Sequence, residues 1–131
     1  MSSYDAEVLA QQLAQLGRDL QAEVKILGEL EEAAVDAEGA YRLRESEFDD
    51  AVDEAFLAFD GSVEVRKAQA RTTTKSYRLN AHEAYLEWGK AKGRVRTQNA
   101  NLQALHKRVE IGRSLLSREK ALLSLSGIGE V

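Results

Sequence analysis

Apolar residues in the second half of the chain recur every seven positions, and this spacing predicts one long helix from about residue 75 to 123. The first register mixes apolar with polar or small residues: Tyr77, Ala84, Ala91, Gln98, Leu105, Gly112 and Glu119. The second register is apolar throughout: Ala81, Trp88, Val95, Leu102, Val109, Leu116 and Leu123. Such a repeat is typical of a helix that presents a seam to a partner helix. We therefore predict an oligomer seam along Trp88, Val95, Leu102, Val109 and Leu116.

The first half predicts another long helix, from about residue 4 to 59, with serine and aspartate at residues 3–5 able to cap its free amides. Its apolar positions are Leu9, Leu13, Leu16, Leu20, Val24, Leu27 and Val35. Two successive four-residue steps around Leu20 favour a local period of eleven residues over three turns. Three glycines share that spacing: Gly17, Gly28 and Gly39. Each glycine weakens a helix by ~1 kcal/mol relative to alanine, so three glycines on one stripe indicate a local need for small residues. We predict that another backbone passes close to them; the alternative is that their spacing reflects chance or local flexibility.

The clearest break in the pattern is Phe59-Asp60-Gly61-Ser62. Asp-Gly favours a turn at residues 60–62, and Ser62 can cap the helix that follows. A short helix is predicted from about residue 63 to 71. The β-branched run Thr72-Thr73-Thr74 then predicts either a kink or a new helix start. Residues 124–131 are predicted to form a flexible tail.

Composition favours an all-α fold. The 131 residues include no proline, and three phenylalanines, four tyrosines and one tryptophan leave little material for a wide core. We predict a single helical domain over residues 1–123, folded as a long antiparallel helical hairpin with coiled-coil-like packing. Because a lone pair of helices rarely buries enough surface to be stable, we expect the chain to form a homo-oligomer.

No pattern in the sequence predicts catalysis, and we expect a non-enzyme with no catalytic residue, metal or cofactor. The absence of cysteine excludes disulfides and thiolate metal sites. His82 precedes Glu83, but residue 86 is leucine, so the two-histidine zinc motif of helices is missing. No run approaches the ~20 apolar residues of a membrane span, and the start lacks the basic and apolar blocks of a signal peptide. A soluble cytoplasmic protein is expected.

Charge divides the chain into two halves. Residues 1–60 hold sixteen acidic and four basic residues, and residues 61–131 hold six acidic and fourteen basic residues. One interpretation is that the basic half binds an anion such as nucleic acid. The other is that the two halves fold against each other and their charges pair. Hairpin geometry would then place Asp53 and Glu54 opposite residues 65–67, and Glu45 and Glu47 opposite residues 73–75.

The basic stretch that follows the turn is the candidate nucleic-acid interface. A row of cations recurs there: Arg66, Lys67, Arg71, Lys75 and Arg78. On a continuous helix the last four of these would form one stripe. Binding to single-stranded nucleic acid also needs exposed aromatic rings for stacking. Tyr77 and Trp88 occupy seam positions and are expected in the core, so Tyr85 is the better candidate. A second set alternates instead of forming a stripe: Lys90, Lys92, Arg94 and Arg96.

The segment from Phe56 to Ser117 resembles a known kind of protein. It contains Phe-Asp-Gly-Ser-Val, Arg-Lys-Ala-Gln-Ala, Tyr-Leu-Glu-Trp and a closing Leu-Gln-Ala-Leu-His-Lys-Arg-Val-Glu-Ile-Gly-Arg-Ser-Leu-Leu. In layout it is similar to small phage-encoded helical proteins, some of which resemble the UvsY-type recombination mediators that help load a recombinase onto single-stranded DNA. The resemblance implies an oligomer in the host cytoplasm that binds single-stranded DNA through the basic residues after the turn. It also implies contact with a recombinase or a single-strand-binding protein.

Two hypotheses of different classes follow. The first is a single-stranded DNA-binding recombination accessory that acts as an oligomer. The second is a structural coiled-coil, scaffold or protein-interaction module whose basic half is neutralised by its own or a neighbouring acidic helix, with no nucleic-acid ligand.

Overall fold

The computed structural model contains three helices and describes the backbone of residues 3–129 and the side chains of residues 5–125. Helix α1 spans Ser3–Ala58, α2 spans Val63–Thr73 and α3 spans Lys75–Gly129. No strand occurs within residues 3–129, so the predicted all-α class is confirmed. The helices begin and end close to their expected positions, except that α3 continues to Gly129 through most of the segment expected to be a tail. The last two residues of that segment lie outside the described residues.

The turn between α1 and α2 forms as the sequence predicts. Gly61 has a φ of 114°, which lies in the region that glycine adopts without steric cost. Ser62 has extended backbone angles, and its hydroxyl oxygen accepts a hydrogen bond from the Val65 amide at 3.3 Å. Ser62 is therefore the N-cap of α2, where its side chain satisfies an amide that has no partner inside the helix.

Thr74 interrupts the helical conformation between α2 and α3, at a φ of −98° and a ψ of 12°. Two backbone hydrogen bonds meet at this residue, one from each helix. The Thr74 amide donates to the Ala70 carbonyl oxygen at 3.0 Å, and the Arg78 amide donates to the Thr74 carbonyl oxygen at 3.1 Å. The buried Thr74 hydroxyl also donates to the Ala70 carbonyl oxygen, at 2.7 Å. Both backbone bonds end at Thr74, which caps α2, and α3 begins at Lys75, so of the two alternatives for the threonine run the structure forms a new helix start.

The chain divides into two compact units: unit 1 comprises Met1–Gly28 with Arg96–Val131, and unit 2 comprises Glu29–Val95. In unit 1, α1 and α3 pack antiparallel. The Gln98 side-chain amide donates to the Glu23 backbone carbonyl at 3.0 Å and to the Glu23 carboxylate. At the other end of the unit, Leu13 lies against Gly112. The large apolar side chains buried in the described part of unit 1 are Leu102, Leu105 and Val109.

Both predicted registers of α3 turn toward the interior. Ala91, Gln98, Leu105 and Glu119 are buried from the first register, and Leu102 and Val109 from the second. Tyr77 is an exception. It is exposed at the start of α3, so its predicted place in the core is wrong.

The eleven-residue period predicted for α1 is also wrong. Val24 and Val35 are 54% and 68% exposed, and the less exposed positions are their neighbours Glu23 and Ala34. Half-buried residues step by four and three from Leu9 onward, at positions 9, 13, 16, 20, 23, 27, 30, 34, 37 and 41. Glu23 takes the inward position because Gln98 offers its carboxylate a hydrogen-bonding partner.

The predicted close backbone contact at the α1 glycines does not occur. Beyond the neighbouring residues and backbone of α1 itself, a methyl group added at any of the three would meet no atom within 4 Å in the described part of the chain: Gly17, Gly28 and Gly39. The tight position is Gly112 on α3, where an added Cβ would lie 3.2 Å from a Leu13 methyl carbon. The glycine at which two helices approach closely is therefore Gly112 on α3, and the group that it approaches is a side chain of α1.

Candidate nucleic-acid interface

Four exposed cations follow the turn on α2 and the start of α3: Lys67, Arg71, Lys75 and Arg78. Their spacing of three or four residues places Lys67 and Arg71 on neighbouring turns of α2, and Lys75 and Arg78 on the first turns of α3, on either side of Thr74. We refer to these four residues as the cationic row. Three of them line the same groove in unit 2: Lys67, Arg71 and Arg78.

This groove encloses about 770 Å³ between α1 and the α2–α3 segment, and we call it the main groove. Its floor is apolar, with Phe48, Val52 and Phe56 contributed by α1. Asp49 and Asp53 line the α1 side, and three members of the cationic row line the α2–α3 side. The main groove therefore has an apolar floor, an acidic edge and a basic edge.

No ion pair crosses the main groove. Within the described residues all four ion pairs join side chains three or four positions apart on one helix: Arg42–Glu38, Arg42–Glu45, Arg44–Glu47 and Lys90–Glu87. The charge pairs expected between Glu45 or Glu47 and residues 73–75 do not form in this part of the chain. Glu45 accepts a hydrogen bond from the Tyr41 hydroxyl, and Glu47 pairs with Arg44 at 2.9 Å. Within the described residues, the acidic helix of the same chain therefore forms no ion pair with the cationic row.

Arg66 differs from the cations that follow it because it is held by the protein. Its guanidinium lies 4.1 Å from the centre of the Phe56 ring, and its Nε donates to the Phe56 carbonyl oxygen at 3.0 Å. That carbonyl belongs to the last turn of α1, where carbonyl groups have no partner within the helix. Arg66 therefore ties the end of α1 to α2. Counting cations along the sequence could not separate it from the exposed residues.

An aromatic cluster lies further along unit 2. The rings of Tyr41 and Trp88 stack at a centroid distance of 5.6 Å, and Tyr85 meets both rings edge-on, at 5.4 Å from Tyr41 and 6.3 Å from Trp88. Tyr85 is exposed, as expected, whereas Trp88 is half-buried. The hydrogen bond from the Tyr41 hydroxyl to the Glu45 carboxylate raises the pKa of Tyr41 above its usual value, and burial adds to this effect.

A second groove of about 470 Å³ connects the cations to these rings. Arg78, His82 and Tyr85 line its α3 side, and Tyr41 and Glu45 line its α1 side. Arg78 belongs to both grooves. His82 is exposed, and its place between a cation and an aromatic ring is visible only in the fold. The arrangement offers cations for phosphate groups and, beside them, a ring on which a base can stack.

The later set of cations is partly engaged. Lys90 pairs with Glu87 at 3.1 Å, and the Lys92 ammonium lies 3.9 Å from the centre of the Trp88 ring. Arg94 and Arg96 are exposed without an ion pair in the described part of the chain. These residues therefore provide a natural comparison for the cationic row.

The residues predicted to form an oligomer seam are covered to different degrees within the chain itself. Leu102 and Val109 are buried, and Trp88, Val95 and Leu116 are half-buried. In unit 1 the seam residues belong to the face of α3 that packs on α1. The seam therefore contributes to the interior of the chain.

No helix in the described residues has a stretch long and apolar enough to cross a membrane. No group of three or more potential metal-binding side chains occurs among those residues either. Comparison with protein-family models, curated proteins and solved structures finds no match for this chain.

Proposed function

We propose that this protein is a non-enzymatic accessory that binds single-stranded DNA through the cationic row. The observation that carries the proposal is that all four cations are exposed and none forms an ion pair within the described residues. Charges of one sign that are left without partners along α2 and the start of α3 attract a polyanion and gain from the release of its counterions.

A single strand suits this surface better than a duplex. Three- and four-residue steps place successive cations roughly 5–6 Å apart along the helix, and a flexible strand can adapt its phosphates to such a row. The exposed ring of Tyr85 lies at the end of the second groove, where an unpaired base can reach it. Bases in a duplex are already stacked on one another and are not available to the ring.

The acidic edge of the main groove orients the strand. Asp49 and Asp53 repel phosphates and keep them on the side of the cationic row, so that the bases turn toward the apolar floor. Carboxylates can also accept hydrogen bonds from the amino groups of bases. Loading of a recombinase, and contact with it or with a single-strand-binding protein, belong to the proposal through the resemblance to UvsY-type mediators.

The test is the binding of a dye-labelled oligothymidylate to the full chain, followed by fluorescence anisotropy at several salt concentrations. Lys67→Gln, Arg71→Gln and Arg78→Gln together remove three phosphate contacts. Affinity should fall, and the slope of log affinity against log salt should become shallower by about 2, since each contact on a single strand accounts for ~0.7.

The control is a variant with the same loss of charge outside the row, Arg94→Gln, Arg96→Gln and Lys120→Gln. It should retain most of the affinity and nearly the whole salt slope. Equal losses in both variants would indicate a diffuse electrostatic attraction with no localised row. Absence of binding by the unmodified protein at low salt would reject the function and favour the scaffold hypothesis.

A further inference from the structure

A row of large apolar side chains on α3 of unit 1 remains exposed to solvent. We call it the outer stripe; its members are Ile111, Leu115, Leu122 and Leu125, which are 61%, 44%, 43% and 65% exposed. Their spacing of four, seven and three residues puts them on one face of the helix. This face differs from the buried one that contains Leu105 and Val109. The outer stripe therefore remains exposed after α3 has packed on α1.

The outer stripe continues onto α1 through a shallow groove of about 220 Å³. Ile111 and Leu115 line one side of it, and Leu9, Leu13 and Leu16 line the other. These three leucines are only half-buried. The apolar surface thus spans both helices of unit 1 and has the form of a groove beside a ridge.

The solvent-accessible area of the single chain is larger than expected for a folded monomer of the same mass. Its value is 9568 Å², whereas a folded monomer with a mass of 14.5 kDa should expose roughly 6,900 Å². Covering this excess of roughly 2,700 Å² on each of two chains would bury roughly 5,400 Å² in total, which lies just above the upper end of the range of about 2,000–5,000 Å² that obligate homodimers bury on both partners together. In the described residues no large side chain is fully buried. The chain therefore exposes the amount of surface that a second copy would be needed to cover.

Charge also favours a second copy as the occupant. Residues 1–28 carry four acidic and two basic side chains, whereas residues 96–131 carry six basic and three acidic ones. If the outer stripe of each copy lies in the α1–α3 groove of the other, the basic helix of one copy meets the acidic helix of its partner. Arg118, which is exposed midway along the outer stripe, can lay its stem on apolar surface and keep its guanidinium in water.

We infer that unit 1 is a self-association surface, on which the outer stripe and the neighbouring groove bind the same elements of a second copy around a two-fold axis. The four- and three-residue spacing of the exposed positions is the spacing with which helices pack side by side. Two identical surfaces that each combine a ridge with a groove satisfy the self-complementarity of a two-fold interface. This inference does not depend on nucleic-acid binding, and its test contains no DNA.

Sedimentation velocity on the full chain over a range of protein concentrations provides the first test. The unmodified protein should sediment as an oligomer that dissociates on dilution. The variant Ile111→Gln with Leu115→Gln should sediment as a monomer and retain its helical circular dichroism. The matched control, Val35→Gln with Leu57→Gln, changes two side chains of unit 2 that are 68% and 77% exposed, and it should remain oligomeric. A monomer at every concentration of the unmodified protein, or equal dissociation of both variants, would overturn the inference.

Thiol labelling tests the same surface without relying on a polar substitution. The chain contains no cysteine, so Ile111→Cys and Leu57→Cys each introduce a single reactive thiol. At a protein concentration that leaves a tenth of the chains dissociated, the maleimide reaction of Ile111→Cys should slow by about tenfold relative to dilute protein, since only the dissociated fraction reacts. The reaction of Leu57→Cys should not change. Equal rates for Ile111→Cys at both concentrations would contradict the proposed interface.

Discussion

Arg66 and Lys67 are neighbours in sequence with the same charge, yet the structure predicts that their replacement affects different properties. Arg66→Ala removes the hydrogen bond to the Phe56 carbonyl and the contact with the Phe56 ring. Lys67→Ala removes an exposed cation that forms no ion pair within the described residues. The first change should lower stability, and the second should lower affinity for single-stranded DNA.

The size of the stability loss follows from the two contacts of Arg66. A hydrogen bond from a charged donor contributes about 1.5–3 kcal/mol, and a cation–π contact near the surface contributes about 0.5–1 kcal/mol. Because Arg66 is only half-buried, the lower part of these ranges applies, and the expected loss is about 1–3 kcal/mol. For a chain of this size, 1 kcal/mol corresponds to roughly 3–6 °C in Tm. Lys67→Ala should change the free energy of unfolding by less than about 0.5 kcal/mol, as is usual for surface substitutions.

Urea denaturation followed by circular dichroism, at one fixed protein concentration, measures the stability of both variants. Anisotropy with the labelled oligothymidylate measures their affinity. A double-mutant cycle with Phe56→Leu separates the ring contact from the hydrogen bond, because only the ring contact is lost in Phe56→Leu. The reasoning is refuted if Arg66→Ala unfolds at the same urea concentration as the unmodified protein, or if Lys67→Ala destabilises the chain as much as Arg66→Ala.

Two further predictions concern the packing of unit 1. Gly17→Ala should stabilise the protein by up to about 1 kcal/mol, because the added methyl group has room beside α1. Gly112→Ala should stabilise the protein less, or destabilise it, because its Cβ would lie 3.2 Å from Leu13. Urea denaturation of the two variants measures the difference in their free energies of unfolding. Leu102→Asp should abolish cooperative thermal unfolding by placing an unpaired charge at a buried position, and a sharp, native-like transition in calorimetry would contradict the assigned burial of Leu102.

The local features of the fold could be predicted from the sequence where one physical requirement dominates. Asp60-Gly61-Ser62 combines a turn former, a residue suited to positive φ and an N-cap, and the turn forms there. The seven-residue pattern of α3 runs without interruption, and nearly all of its positions turn inward. Tyr85 lies outside both registers and is exposed.

Several failed predictions depend on which partner a side chain meets in the fold. Hydrophobicity alone predicts that Val24 is buried and its neighbour Glu23 is exposed. In the fold Glu23 turns inward instead, because Gln98 forms a hydrogen bond with its carboxylate. The role of Arg66 depends on a backbone carbonyl ten residues away, and no composition or spacing rule records such a partner. The acidic residues form their ion pairs within their own helix, because a residue three or four positions away is always within reach.

The hydrogen bonds between Gln98 and Glu23 also determine which of several possible alignments of α1 and α3 the chain adopts. Apolar side chains repeat every seven residues along α3, so sliding one helix past the other by one repeat, about 10 Å, would match leucine to leucine almost as well. Such a slip would place the Glu23 carboxylate against an apolar residue such as Leu105 and leave its charge without a donor, at a considerable cost in free energy. A single polar pair in an apolar interface thereby specifies one alignment among near-equivalent ones.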